Sequence, residues 1–368
     1  MKRKKVAVLF GGRSGEHVVS LRSAASIMEA IDKEKYDIIP IGISREGAWI
    51  TGPDAWLALW ENRPPREATA AVILTDPNRP GLLVQSAVSP SEWLHQPLDI
   101  VFPVLHGTYG EDGTIQGLFE MAGIPYVGSG VLASSVAMDK VIMKTLFKEC
   151  GLPVARFVYF YRWEWSGNEQ EWQVRVTNEI GFPCFVKPAN LGSSVGITKV
   201  RSEDKLASAV EEALLYDEKV IIETFLEGRE IECSVLGDIE PHTSRPGEIV
   251  PCNEFYDYRA KYIDDRSELV IPVELGEKLE TMVRDYSARA YKVVEASGLA
   301  RVDFFVNTLT ETVTLIEINT IPGFTSISMY PKLWEATGIS YDQLVSRLLE
   351  FAESRFQRRR ALMVSPPE

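Results

Sequence analysis

Basic charge is in deficit. The 39 lysines and arginines are outnumbered by 52 aspartates and glutamates, for a net −13. Such a balance excludes nucleic acid and anionic membrane as the main partner. Cysteine is scarce: Cys150, Cys184, Cys233 and Cys252 lie far apart with no C-x-x-C, and read as reduced, partly buried thiols. No apolar run approaches the ~18–20 residues of a membrane span. The basic start MKRKK is followed only by Val6–Phe10, shorter than the roughly 7–15-residue core of a signal peptide. The expected location is the cytoplasm. Low-complexity tracts and clear repeats are missing as well. So are two nucleotide fingerprints. Arg13 stands where G-x-G-x-x-G needs its second glycine and no acid closes the second strand, so a dinucleotide site is not expected; no Gly-Lys-Ser/Thr marks a Walker A loop.

What is present is concentrated in residues 301–328, RVDFFVNTLTETVTLIEINTIPGFTSIS. Residues 301–306 and 313–319 are β-branched and aromatic-rich, with a polar turn between them. Period-2 alternation puts Arg301 and Asp303 on one face, and likewise Glu317 and Asn319. A hairpin centred near residue 310 sets Asp303 opposite Glu317. Charged groups inside apolar strands are paired or metal-bound. Oxygen ligands without His or Cys suit Mg²⁺ held jointly with phosphates. An ion-pair cluster of Arg301 with two acids is the alternative, and these residues alone leave both open.

At 368 residues the chain has room for two or three domains. Strand 6–10, the turn GGRSGE and a helix through Leu21, Ala25, Met28 and Ile31 open a doubly wound α/β domain, with the next strand at 36–43. Glu16 begins the helix, where the dipole favours a carboxylate. Residues 50–98, rich in Pro and Trp, suggest an irregular peripheral elaboration. Strand 99–105 runs into the glycine-rich turn HGTYGEDGTIQG, where open α/β sheets place ligands; His106 reads equally as buried helper or ligand contact. A helix from Asp139, closed by Gly151 and Pro153, carries Lys140 and Lys144, for which a solvated face is the default. Lys187 ends the strand PCFVKP beside the loop ANLGSSVG. That is either a phosphate-holding arrangement or a plain hairpin with a flexible tip. KVIIE at 219–223 leads through TFLEGREIE into another strand. A hinge there, with Glu223 and Glu230 at its ends, could receive adenine and ribose. Residues 238–274 read as a long polar loop whose aromatics favour docking over disorder. A helix at 275–297 precedes the hairpin, and one near 340–354 precedes a basic, frayed tail.

Together GGRSGEHVVS, LHGTYGEDGTIQG, GSGVLASSVAMDK, FVKPANLGSSVGI, EFYDYRAKY, RVDFF and EINTIPGFTSISMYPKLW resemble the ATP-grasp carboxylate–amine ligases, and closely the D-alanine–D-alanine ligases. The matches run in order over residues 6 to about 350. The fold class implied is α/β and α+β: an ATP-grasp fold with an N-terminal Rossmann-like (pre-ATP-grasp) α/β domain. Its parts would be the N-terminal domain (1–138), a central small lobe (139–228), a C-terminal lobe (229–354) with an active-site loop (241–272), and a tail (355–368).

The resemblance implies ATP-driven joining of two D-alanines through an acyl phosphate, for peptidoglycan precursors of the cell wall. Lys140 and Lys187 would hold ATP phosphates under the 190–196 loop, Glu223 the adenine amino group and Glu230 the ribose. Asp303, Glu317 and Asn319 would bind two Mg²⁺, with Mn²⁺ able to substitute. Glu16 would bind the first D-alanine's ammonium, with His106 nearby. Ser193 and Tyr262 would link Glu16 to the long loop, and Lys261 would reach the transferred phosphoryl. Ser328 would receive the second D-alanine's carboxylate, and Arg301 with the Gly323 N–H would form the oxyanion site. Thr224 stands where some relatives carry Lys, which shifts adenine contact toward backbone groups. A homodimer is implied. Two alternatives differ: D-lactate or D-serine as second substrate, and a nucleotide-binding protein without ligase activity.

Overall fold

The run Val6–Phe10 is fully buried and forms the middle of the first sheet. In the computed structural model, which describes residues 2–192, 195–250 and 268–363, that sheet has seven strands: β1 (Lys4–Gly11), β2 (Tyr36–Ile43), β3 (Trp49–Thr51), β4 (Thr69–Leu74), β5 (Gly81–Gln85), β6 (Trp93–Pro97) and β7 (Ile100–Pro103). Their order is β6-β5-β4-β3-β2-β1-β7. β1 runs parallel to β2 and β7, as a buried apolar run requires. The outer strands are antiparallel. Residues 50–98 are therefore not an irregular elaboration: they extend the sheet. Between β3 and β4 the helix Ala55–Trp60 stacks Trp56 on Trp60, and the Trp56 indole N–H donates to Leu21 O at 2.8 Å. These strands escape the sequence pattern because they are short and, in β6, largely exposed.

A four-stranded antiparallel sheet follows, β8 (Phe157–Tyr161), β9 (Cys184–Pro188), β10 (Thr198–Val200) and β11 (Lys219–Thr224), in order β10-β9-β11-β8. The helix Lys140–Glu149 precedes it. Asp139 caps that helix by accepting from the Val141 and Ile142 amides at 3.0 and 3.1 Å, and also pairs with Lys219. The third sheet is β12 (Arg229–Gly237), β13 (His242–Thr243), β14 (Gly247–Val250), β15 (Glu268–Val270), β16 (Gly298–Asn307) and β17 (Thr312–Asn319). Its order is β15-β14-β12-β16-β17, with β13 on β12. The stretch read as one polar loop thus contributes β13, β14 and β15. Lys261 and Tyr262, like Ser193, lie outside the described residues.

The hairpin register is as the alternation requires: Asp303 opposes Glu317 and Arg301 opposes Asn319. Between Asp303 and Phe304 the pairing slips, so that Phe304 faces Leu315 and Ile316 becomes the extra residue of a β-bulge. Val302, Phe304 and Val306 turn inward with Val313, Leu315 and Ile318, onto the helix Glu277–Val293. The opposite face carries the charges.

The C-terminal helix spans Tyr341–Arg360, past the 354 expected, and its basic end is not frayed. Ser340 and Gln343 form a capping box at its start. At its end Arg355 lies over the Tyr126 ring at 4.4 Å and donates to Gly128 O and Tyr126 O, Arg358 pairs with Asp238 at 2.5 Å, and Arg359 pairs with Glu120. The helix therefore ties the third sheet to the first domain. Arg355→Ala should lower stability by about 1.5–3 kcal/mol, the range for hydrogen bonds to a charged group. Thermal unfolding of the variant with an unshifted midpoint would contradict this.

Candidate functional site

A cleft of ≈ 810 Å³ lies among the three sheets, within the size range of small-molecule sites. Glu16, His106, Lys140, Arg301, Glu317, Asn319, Gly323 and Ser328 all line it. Trp56 and Trp60, from the segment read as peripheral, line it as well. Glu16 is the N-cap of helix His17–Ala30 but makes no side-chain cap bond. Its carboxylate instead lies against Gly107, where an added Cβ would stand 2.9 Å from Oε2. Gly107 has φ +73°, so glycine is favoured both by conformation and by the space Glu16 occupies.

On the floor, Arg301 donates from Nε and Nη2 to the two oxygens of Asp303, each at 2.7 Å, and Nε is 3.0 Å from Glu232 Oε2. Asn319 Nδ2 donates to Asp303 Oδ2 at 3.0 Å. Burial opposes the Arg301 charge, but Asp303 and Glu232 outweigh it and raise its pKa well above the ordinary value. Of the ion-pair alternative, the Arg301–Asp303 pair is present, while the second acid at ion-pair distance is Glu232 from β12 and not Glu317. Glu317, on the same face, is 3.7 Å from Lys140 Nζ. Among the described residues, no three His, Cys, Asp or Glu side chains gather into a metal cage. That fits Mg²⁺, which takes one or two carboxylates and fills its remaining positions from water and phosphate. Asp303, Glu317 and the Asn319 amide oxygen are a donor set of that kind.

The lysines are not solvated. Lys140 is buried and donates to Leu191 O at 2.7 Å; Lys144 is buried and donates to Ile316 O at 2.7 Å. Lys144 also pairs with Glu223 at 3.0 Å, and Lys187 with the other Glu223 oxygen at 2.6 Å. Burial would raise the Glu223 pKa, but Lys144 and Lys187 override it and hold the carboxyl at about 2. The Glu230 charge is close enough to contribute to raising the Lys187 pKa, after Glu223. Glu317 raises it too, ahead of Glu230, so this charged group adjoins the cleft lined by Lys140 and Glu317 although Lys187, Glu223 and Glu230 do not themselves line it.

Residues 321–328 form the remaining wall. Ser328 is the N-cap of helix Met329–Ala336, and its Oγ lies 2.7 Å from Thr325 Oγ1 and 3.1 Å from Thr325 N. The N–H groups of Met329 and Tyr330 at that helix start, ahead of Pro331, suit a carboxylate. Gly323 borders Ser328 closely: an added Cβ would meet Ser328 Oγ at 3.3 Å.

Four contributors were missed in the sequence. Glu111 accepts from the amides of Gly107 at 2.6 Å and Ile321 at 3.2 Å. Desolvation and the nearby Glu16 push its carboxyl up to about 8. Nothing in HGTYGEDG says which of its two acids turns inward. Ser23, fully buried on the first helix, and Glu232 and Lys144 had signals. Glu232 shares the period-2 face of Glu230, and Lys144 has Val141 three residues before it and Phe147 three after, so it stands on the helix's apolar stripe.

Comparison with known proteins covers nearly the whole chain. Family models described as D-ala D-ala ligase N-terminus and C-terminus match residues 5–129 and 146–350. A D-alanine–D-alanine ligase of Natranaerobius thermophilus is 50% identical over 98% of this chain and 97% of its own. One from Caldicellulosiruptor bescii is 47% identical over 99% of both. Among solved structures, the VanG D-Ala:D-Ser ligase of Enterococcus faecalis superposes with TM-score 0.85 at 36% identity, over 95% of this chain and 100% of that one. The D-alanine–D-alanine ligase of Coxiella burnetii gives 0.81 at 35%, over 98% and 97%. No helix among the described residues is long and apolar enough to cross a membrane.

The two perturbed carboxyls should mark the pH dependence of stability with opposite signs. Glu111, raised to about 8, keeps its proton in the folded state, so its contribution is full below pH ~4.5 and is lost as pH rises through about 8. Glu223, held at about 2, contributes above pH ~4.5 and is lost as pH falls through about 2. Glu111→Gln should therefore flatten the fall of the melting temperature between pH 5 and 8.5 in ligand-free protein. Parallel curves for variant and wild type would exclude this assignment.

Proposed function

Because the chain belongs to the D-alanine–D-alanine ligase family, we propose that it joins two D-alanines with cleavage of ATP to ADP and phosphate, supplying the dipeptide of peptidoglycan precursors. One observation carries this reading: across a single cleft, the Glu16 carboxylate faces a continuous stretch bearing Arg301, Glu317, Asn319, Gly323 and Ser328. That stretch offers charge for phosphates and, a few residues on, amides and hydroxyls for an amino acid.

In this reading the first D-alanine lies with its ammonium at Glu16, near His106. Its carboxylate oxygen attacks the γ-phosphorus of ATP and ADP departs, leaving an acyl phosphate. The chain's work here is positioning and charge. Lys140 and Lys187 neutralise phosphate oxygens, Glu223 takes the adenine amino group and Glu230 the ribose hydroxyls. For that, Glu223 must share its ion pairs with Lys144 and Lys187. Mg²⁺ bound at Asp303, Glu317 and Asn319 would neutralise β- and γ-phosphate charge; ionised Asp303 has lone pairs beyond those that Arg301 and Asn319 use. The second D-alanine docks its carboxylate at Ser328 and the helix start. Its neutral amine attacks the acyl carbon, and phosphate leaves, taking up the proton that the nitrogen sheds as the amide forms. Arg301 spends two of its five N–H donors on Asp303, so further N–H groups can meet the tetrahedral oxyanion together with Gly323 N–H. The roles of Ser193, Tyr262 and Lys261 rest on the resemblance of their motifs, as does a homodimer in the cytoplasm, for which light scattering giving a monomeric mass would be the contrary result.

The VanG structure favours a specific second reading, D-serine as the second substrate. EFYDYRAKY, with Tyr262, supports D-alanine. Incubating the enzyme with ATP and D-alanine, alone or with D-serine or D-lactate, should yield D-alanyl-D-alanine as the main product at neutral pH. Preferential D-serine adduct or ester would overturn the choice. Asp303→Asn should cut turnover by at least about 100-fold, beyond the 10–100-fold typical of outer-shell changes. Near-wild-type turnover at matched Mg²⁺, with circular dichroism unchanged, would refute the metal assignment.

A further inference from the structure

The segment Ile321–Phe324 belongs to the C-terminal lobe, yet its backbone is held by the N-terminal domain. Glu111 Oε1 accepts the Ile321 N–H at 3.2 Å, and Oε2 accepts the Gly107 N–H at 2.6 Å. His106 Nδ1 is 2.9 Å from Ile321 O. Ser23 Oγ accepts the Phe324 N–H at 3.3 Å and lies 3.5 Å from His106 Nε2. These bonds fix the proton positions. Ile321 O can only accept, so His106 Nδ1 carries the hydrogen. Its Nε2 is then an acceptor, and the Ser23 hydroxyl donates to it while receiving Phe324 N–H. Burial lowers the His106 pKa, in keeping with a neutral ring. Both backbone groups of Ile321 and the amide of Phe324 are thereby fixed, on either side of Gly323. None of the three ties uses the Gly323 N–H itself.

We propose that Ser23, His106 and Glu111 form a three-point clamp that positions the Gly323 amide and the Ser328 turn for the second amino acid, making Glu111 and Ser23 positioning residues for the acceptor half of the reaction. The inference rests on the assignment of Gly323 and Ser328 to that half. Its physical basis is geometric. An oxyanion donor and a carboxylate site are useful only when held within about 0.5 Å of the productive arrangement. A turn carrying Pro322 and Gly323 at a lobe boundary has no ladder of its own to hold it. The clamp supplies three fixed points, one from the helix His17–Ala30 and two from the turn between β7 and the helix Thr114–Ala122. It also makes the acceptor site depend on the docking of one domain against another, while the lysine and Glu223 cluster that would hold ATP is built without it.

The test is a kinetic split. Initial rates over D-alanine concentration at saturating ATP give two constants for D-alanine, one for each bound molecule. Glu111→Gln keeps the side chain's size but offers one acceptor oxygen to two N–H donors. It should raise the second D-alanine constant about ten-fold, the equivalent of one lost hydrogen bond. The ATP constant should stay within about two-fold. Ser23→Ala should act in the same direction. The double variant should be less than multiplicative in the second constant, since both residues hold one segment. Equal changes in the ATP and acceptor constants, or multiplicative effects in the double variant, would overturn the clamp. Ser328→Ala separates the two levels. If it raises the second constant while Glu111→Gln does not, the clamp is wrong and the acceptor assignment stands. If Ser328→Ala leaves that constant unchanged, the acceptor assignment itself fails.

Discussion

A guanidinium can sit buried on the cleft face of a β-sheet only if anions meet it there, and the third sheet is arranged around that requirement. Arg301 is answered along its own strand by Asp303 and across the strand pair by Glu232. This requires β12, β16 and β17 to hold one register, because a slip of one residue would leave a charge buried without its counterpart. The same rule is repeated outward. Lys140 faces Glu317, and Glu223 lies between Lys144 and Lys187. Charges of alternating sign thus run from the hairpin to the second sheet. Each of these buried charges has an opposite charge beside it.

That arrangement explains how a chain with a net charge of −13 receives a polyanion. The positive charge is local rather than global, and Lys140, Lys144 and Lys187 each have a carboxylate beside them. Under the proposed function, incoming phosphates would exchange one anionic partner for another instead of drawing lysines out of water. Orientation is therefore prepared in advance, which is where phosphoryl transfer derives most of its acceleration.

Much of the site was legible in the sequence because strands have period 2. Alternation put Arg301 with Asp303 and Glu317 with Asn319, and a hairpin centred near residue 310 set Asp303 opposite Glu317; the bulge at Ile316 that makes this opposition had no signal of its own. The parallel strands β1, β2 and β7 were equally clear as apolar runs. Legibility failed where burial is decided by distant contacts. Helical spacing puts Lys144 on the apolar stripe of its helix, but the groups that hold it, Glu223 and Ile316 O, come from strands of two different sheets and carry no mark in the sequence. Glu111 and Ser23 act through backbone groups more than 200 residues away in sequence. The short outer strands β3 to β6 exist because neighbours pair with them, and their exposed faces carry little pattern. The resemblance placed Glu16, Gly323 and Ser328 in one site, which periodicity could not.

The extra residue in β17 has a consequence for how this protein can change. Val313 and Leu315 point inward, and strict alternation would send Glu317 and Asn319 after them into the core. Ile316 resets the phase, so Ile318 takes the inward position while the acid and the amide emerge on the cleft side. The carbonyl that Ile316 contributes is taken up by Lys144. Side-chain identities between Thr312 and Asn319 can drift as long as polarity is respected. The count of residues cannot, for losing one would exchange the contents of the active site with the contents of the core. In this stretch, chain length is the functional variable.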